Sequence, residues 1–304
     1  MTTIRSAIDE YLTLRRALGF KLAKHDRLLN DFADHLDSIG ASTITIEVAV
    51  EWATRPAAAQ PVQWSARLCA VRGFARYLHA VDPAVEVPPA DLLPHRHRRP
   101  TPYLFTPPDI AALLAATDVI RSPLRATTYH ALFGLLAATG IRVGEAIRLD
   151  DADLDLDLGL LTVHDTKVGK SRRLPLHATT IVALDEYRHE RDRLAPRPKS
   201  ESLFVSTAGT RLIYHNVNTT FRTLVTTAGI GAPARPRIHG LRHSFAVATL
   251  LRWYRDGGGV QARLPLLSAY LGHSHPSSTY WYLQAAPELL ALAAERLDQP
   301  REVL

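Results

Sequence analysis

One proline-rich, basic stretch does most to limit how this chain can fold. Between residues 88 and 102, Pro88, Pro89, Pro94, Pro100 and Pro102 frame the run His95-Arg96-His97-Arg98-Arg99. Proline withholds backbone donors and like charges resist compaction, so residues 88–102 are expected to be an extended linker. Its basic run, Arg96, Arg98 and Arg99, suits a strap along DNA as well as it suits a merely solvated connection. The chain has 304 residues, enough for two cores, one from 1–87 and one from 103–304.

The two parts differ in their hydrophobic period. Helical patterns cover 4–18, about 22–39, 46–54 behind Thr43 or Thr45, and 65–80 behind Ser65, with little strand signal. Residues 1–87 are therefore expected to form a small all-α domain. Arg72 and Arg76, four apart, share one face of its last helix, where they are solvated surface or phosphate contacts. Beyond the linker, Thr106-Pro107-Pro108-Asp109 opens a helix through Thr117, and proline is harmless in a first turn. A strongly apolar helix follows over 123–138, stopped by Gly140, and a short one starts around Arg142. The period then changes. Leu160–His164 and Arg172–Leu176 read as two short strands joined by the Lys/Gly-rich turn 167–171, and helical patterns return from about 177 to 297. The expected fold is mostly α with a small β-sheet.

Composition narrows the function. With 36 Lys+Arg against 30 Asp+Glu and a formal charge of +6, the chain suits a polyanionic partner. No apolar run approaches the roughly 18–20 residues of a membrane span. The start Met1-Thr2-Thr3-Ile4-Arg5 is not built like a signal peptide, so a cytoplasmic, nucleoid-associated protein is expected. One cysteine, Cys69, excludes an internal disulfide and a multi-cysteine zinc site, and its apolar neighbours Leu68, Ala70 and Val71 suggest a buried structural thiol.

The residues with chemistry lie in spaced groups: Thr139-Gly140-Ile141-Arg142, then His239-Gly240-Leu241-Arg242-His243, then Leu271-Gly272-His273, with Tyr282 nine residues later. Attack on a phosphodiester builds charge on the non-bridging oxygens, and the departing 5′ oxygen needs a proton. Two arginines meet the first need, because a planar, permanently charged fork holds two oxygens at once. Arg142 at a helix start adds the anion affinity of free N–H groups, and Arg242 shares a helix face with His239. Lys167 or Lys170, on the turn, could supply the proton. Tyr282 is the candidate nucleophile. A phenol that ordinarily ionises near pH ~10 needs neighbouring cations or a base, and His239 and His273 are at hand. A competing pattern exists: His239 and His243 have metal-ligand spacing, and His273 and His275 add two imidazoles. Against zinc, Gly240 stands where an H-E-x-x-H glutamate would be, and Arg242 would set a positive charge beside the metal. No metal and no cofactor is expected.

These boxes, extended to Thr139–Glu145, His239–Ala246, Leu271–Ser274 and Thr279–Tyr282, closely resemble those of the tyrosine recombinases, the phage-integrase family. The resemblance spans about 103–290. It implies an all-α, SAM-like core-binding domain over 1–87 and a mixed α/β catalytic domain over 103–304. It makes Arg142 the first phosphate-binding arginine, Glu145 its structural companion and Lys167 the general acid, with Lys170 as the rival. His239 matches the nucleophile-activating position, Arg242 the second arginine, His273 the residue bonding the scissile phosphate and Tyr282 the nucleophile. His243 supports the site. Tyr280 falls two residues early, about 200° away around a helix. The wording of 261–267 and 279–283 resembles the transposon- and plasmid-borne branch. Departures are Gly257-Gly258-Gly259 before the Val260 helix and His275-Pro276 after the glycine-histidine box.

The resemblance implies a site-specific recombinase, of integrase or transposase type, that cleaves and rejoins double-stranded DNA through a 3′-phosphotyrosyl bond. It would assemble on DNA as a tetrameric synapse, alone or with related recombinases. The final pattern over 287–297, with Leu289, Leu290, Ala293, Ala294 and Leu297 at helical spacing, reads as a helix passed to a neighbour or docked on its own domain. Alternatives are a type IB topoisomerase-like relaxing enzyme, a catalytically silent DNA-binding accessory protein, and the metal-dependent hydrolase of the histidine pattern.

Overall fold

A computed structural model describes residues 3–94, 101–164, 171–231, 236–256, 259–273, 275 and 277–285. The chain divides into two compact units, 1–100 and 101–304. The first holds α1 (Ile4–Ala17), α2 (Ala23–Ile39), α3 (Ile46–Thr54) and α4 (Pro61–His79). Thr45, not Thr43, caps α3, its side-chain oxygen accepting the Val48 N–H at 3.2 Å. Phe32, Trp52 and Phe74, with Ile8, Leu12, Leu29 and Leu68, fill the core these helices share.

Two sequence expectations in this unit need correction. Helix α4 starts at Pro61 and Ser65 lies inside it, because proline at the first helical position costs no hydrogen bond. Cys69 is exposed, not buried. The buried positions of α4 are Leu68, Ala70, Val71, Phe74 and Ala75, and Cys69 falls outside that stripe.

The second unit opens with α5 (Pro107–Ala115), whose Thr106 and Asp109 close a reciprocal capping box, and a 3₁₀ turn (Ala116–Val119) follows. Next come α6 (Pro123–Thr139) and α7 (Val143–Arg148). A three-stranded antiparallel sheet has the order β1 (Leu154–Asp155), β2 (Leu160–Val163), β3 (Arg172–Pro175). In its register Leu161 faces Leu174 and Val163 faces Arg172. Five further helices are described: α8 (Ala178–Leu194), α9 (Tyr214–Thr227), α10 (His239–Arg255), α11 (Val260–Leu271) and α12 (Ser277–Ala285). Helix α6 packs against both α8 and α10. Its Leu132 and Phe133 are fully buried, each such side chain contributing about 1.5–3 kcal/mol. A second cluster, Leu250, Val260, Leu264, Leu267, Leu271 and Tyr282, joins α10, α11 and α12. Among the described residues no helix is long and apolar enough to cross a membrane.

Two glycines shape the ends that meet at the site. Gly140 ends α6 at φ +62°, and a Cβ there would stand 2.6 Å from the Phe245 ring. Gly272 ends α11 at φ +67°, and a Cβ there would stand 2.6 Å from the Arg172 guanidinium. Both positions require the left-handed conformation and bare space that only glycine offers.

Candidate active site

Arg142 is the N-cap residue of α7, where the chain turns after Gly140. Its backbone N–H donates to Glu145 at 3.0 Å, its Nη1 to the same carboxylate at 2.8 Å, and its Nη2 to the Gly272 carbonyl at 3.0 Å. Glu145 is buried, 3% exposed, and also receives Arg172 at 2.9 and 3.3 Å. Burial works against its ionisation. The hydrogen bonds from Arg172 and from the Arg142 backbone and side chain, with the charge of Arg172, outweigh burial and hold the carboxyl at about 2.

Arg242 is more deeply set, 2% exposed on α10. Its Nη1 donates to the Gly140 carbonyl at 2.8 Å and its Nη2 to the Leu271 carbonyl at 2.7 Å. Desolvation lowers the guanidinium to about 10, Tyr282 opposes that shift, and Arg142 adds to it. Tyr282 thus lies within electrostatic reach of this cation. Tyr282 itself is 2% exposed, its ring stacked at 6.0 Å on His273 and tilted at 5.4 Å against His243. Tyr280 points away, 52% exposed.

The histidines form a chain of rings. His239 meets His243 at 4.6 Å, and His243 meets Trp281 at 4.9 Å as well as Tyr282. His273 Nδ1 lies 2.7 Å from the hydroxyl of the buried Thr279. His239 and His273 are both lowered from the ordinary 6.5 to about 4, first by desolvation and then by Arg242 and Arg142. Solvent still reaches His239, so for that ring the two arginine charges are the firmer cause. Both imidazoles are neutral at pH 7. Among the described residues no three His, Cys, Asp or Glu side chains gather as a metal-binding group.

A pH dependence follows. Unfolded histidines take up protons below about 6.5, whereas His239 and His273 do so only near 4, so their contribution to stability is whole above 6.5 and is lost as pH falls toward 4. Glu145, ordinary value 4.5, adds a second loss between 4.5 and about 2. Urea unfolding across pH 7 to 4 should show stability falling, and a His239→Asn/His273→Asn double variant should flatten that slope. An unchanged slope would mean the two rings are not held neutral.

The structure thus brings Arg142, Glu145, His239, Arg242, His243, His273 and Tyr282 together. Lys167 and Lys170, with Arg96, Arg98 and Arg99, lie outside the described residues. In the first unit Arg76 is exposed, whereas Arg72 spends its Nε and Nη2 on the Pro88 and Pro89 carbonyls at 2.8 Å each, holding that stretch against α4. Sequence reasoning missed Arg172 and Thr279. The signal for Arg172 was strand alternation, which puts it on the inward face with buried Leu174.

A cluster of hydrogen-bond-donating arginines around a buried tyrosine, on a helical domain with a small antiparallel sheet, is the architecture of an enzyme that breaks and rejoins DNA. The chain belongs to the phage integrase family, the tyrosine recombinases, whose family model matches residues 104–288. It is 44% identical to "Putative integrase/recombinase y4rB" of Sinorhizobium fredii, over 98% of both chains. It is 30% identical to tyrosine recombinase XerD of Pseudomonas putida, over 72% of this chain and 70% of that one. Its fold matches the Tn1549 transposon integrase in complex with transposon right end DNA, with TM-score 0.69 and 17% identity, covering 96% of this chain and 99% of that one.

Proposed function

We propose that this protein is a site-specific recombinase in which Tyr282 cuts DNA and carries the broken strand. The observation that supports it best is Arg242, fixed by the Gly140 and Leu271 carbonyls within electrostatic reach of Tyr282 and Arg142, with the Tyr282 ring stacked on His273. Tyr282 Oη forms a bond to phosphorus while the bond to the 5′ oxygen breaks. Arg142 and Arg242 balance the charge that develops on the non-bridging oxygens, and His273 donates a hydrogen bond to one of them. Lys167 protonates the departing 5′ oxygen, with Lys170 as its rival. The phenolic proton passes to His239, which is neutral and has a free lone pair. His239 and Tyr282 both contact the His243 ring, at 4.6 and 5.4 Å between ring centres. A hydroxyl with so little exposure must in any case turn outward to meet a phosphate.

Attack of a partner's 5′ hydroxyl on the phosphotyrosine then rejoins the strands and frees Tyr282. The ester conserves the bond energy, so the reaction draws on no nucleotide. Double-stranded DNA is the partner, bound in the cytoplasm at the nucleoid, and copies of the chain assemble on it as a synapse. The segment 287–297, outside the described residues, would link neighbours.

Duplexes tiled across the DNA flanking the gene, incubated in pairs with the pure protein and chelator, test the reading. Joined products of two separate duplexes are expected. Relaxation of a supercoiled plasmid without joining would favour the topoisomerase reading, and binding without any adduct would favour the silent accessory protein.

A further inference from the structure

The last carbonyls of α11 are held by three different arginines. Arg172 Nε donates to the Tyr270 carbonyl at 2.8 Å, Arg242 Nη2 to Leu271 at 2.7 Å and Arg142 Nη2 to Gly272 at 3.0 Å. A helix C-terminus leaves carbonyls without intrahelical donors and carries partial negative charge, so cations gather there. Two of these arginines belong to the phosphate grip. The third does not reach outward: its Nη1 and Nη2 close on Glu145, and its side chain is 12% exposed against 32% for Arg142.

We propose that Arg172 is a positioning residue for strand cleavage, which fixes Arg142 and the corner between α11 and His273 through Glu145 and the Tyr270 carbonyl. The inference rests on the recombinase reading above. A carboxylate with a single arginine partner would neutralise it and draw it flat onto its own oxygens. With Arg172 on β3 sharing Glu145, Arg142 keeps net positive charge and an open edge for a phosphate. Arg172 is also the residue for which Gly272 leaves room, because any Cβ at 272 would collide with the guanidinium. The same guanidinium therefore sets both the arginine before the phosphate and the turn that delivers His273.

Glu145 is faced by Arg142 at the cap of its own helix, by Arg172 from β3 and by the charge of Arg242 from α10. Removing Arg172 takes away its strongest opponent of burial, so its carboxyl should rise toward the ordinary range. Protonated Glu145 no longer anchors Arg142, and cleavage should then fail at a higher pH than in the wild type.

The test uses full-length protein and nicked duplexes tiled across the DNA flanking the gene. Single-turnover adduct formation and gel-shift affinity are measured side by side for wild type, Arg172→Met and Arg172→Lys. Arg172→Met is expected to slow adduct formation by about 10- to 100-fold, the cost of misplacing a reacting group by about 1 Å, with affinity within about threefold. Its acid limb should move toward neutral pH. Arg172→Lys keeps the charge but loses the fork, so it should restore the acid limb and only part of the rate. An unchanged rate and acid limb in Arg172→Met would overturn the assignment, as would affinity falling in step with rate, the mark of a direct DNA contact. If Arg172→Met does not fold, Arg172→Lys decides alone, and a wild-type rate overturns it. If the wild type forms no adduct on any duplex, the recombinase reading fails. The Arg172 assignment is then judged by NMR titration of the Glu145 carboxyl in the protein alone, which should rise in Arg172→Met, stay low in Arg172→Lys, and stay fixed in both if the assignment is wrong.

Discussion

Tyr282→Phe is expected to abolish covalent capture of a nicked DNA substrate while leaving DNA binding within about twofold of wild type. The substitution removes one oxygen and keeps the ring that packs with Leu250 and Leu271 and stacks on His273. Loss of the nucleophile should cost on the order of 10³-fold or more, because the arginines and histidines have nothing left to activate. Tyr280→Phe is the control. Its side chain is 52% exposed and turned away from the arginines, so the adduct should form at the wild-type rate. Mass spectrometry of the trapped adduct reads both outcomes, and loss of the adduct in the Tyr280 variant alone would show that the register of α12 is wrong.

What the sequence revealed, and what it hid, follows from the range of each interaction. The cap of α3 at Thr45, the capping box at Thr106 and the stop at Gly140 are made by neighbours in the chain, so local chemistry announces them. The gathering of Arg142, Arg242 and Tyr282 was legible through family spacing alone, since no periodicity links residues a hundred positions apart. Cys69 misled because an apolar neighbourhood does not say which face of a helix a residue takes. Strand β1, two residues long, is too short to show a period of two. Arg172 went unnoticed for a different reason: its partners are Glu145, 27 residues back, and Tyr270, 98 residues on, and an arginine on a hairpin strand is ordinarily solvated surface. Even the box arginines hid something, for Arg242 binds the protein's own carbonyls as well as serving the phosphate role proposed for it.

That double duty sets the second large effect. Arg242→Met should both cripple cleavage and destabilise the catalytic unit. The Gly140 and Leu271 carbonyls are buried beside a side chain that is 2% exposed, and methionine offers them no donor. Each orphaned acceptor costs about 1–3 kcal/mol, so for the two a loss of about 2–6 kcal/mol is expected by urea unfolding. Cleavage should fall further than stability accounts for, by about 10³-fold or more in conditions where the variant remains folded, since a buried guanidinium no longer meets the developing phosphorane charge. Arg242→Lys separates the two roles. One ammonium can keep the charge and one carbonyl but cannot span Gly140, Leu271 and the phosphate together, because it lacks the planar fork. Its stability should therefore lie between wild type and Arg242→Met, with cleavage still reduced by at least about tenfold. A lysine variant as active as wild type would show that charge alone suffices and that the two carbonyl bonds are incidental to catalysis. A methionine variant as stable as wild type would show that α6 and α11 are joined by packing and not by this arginine.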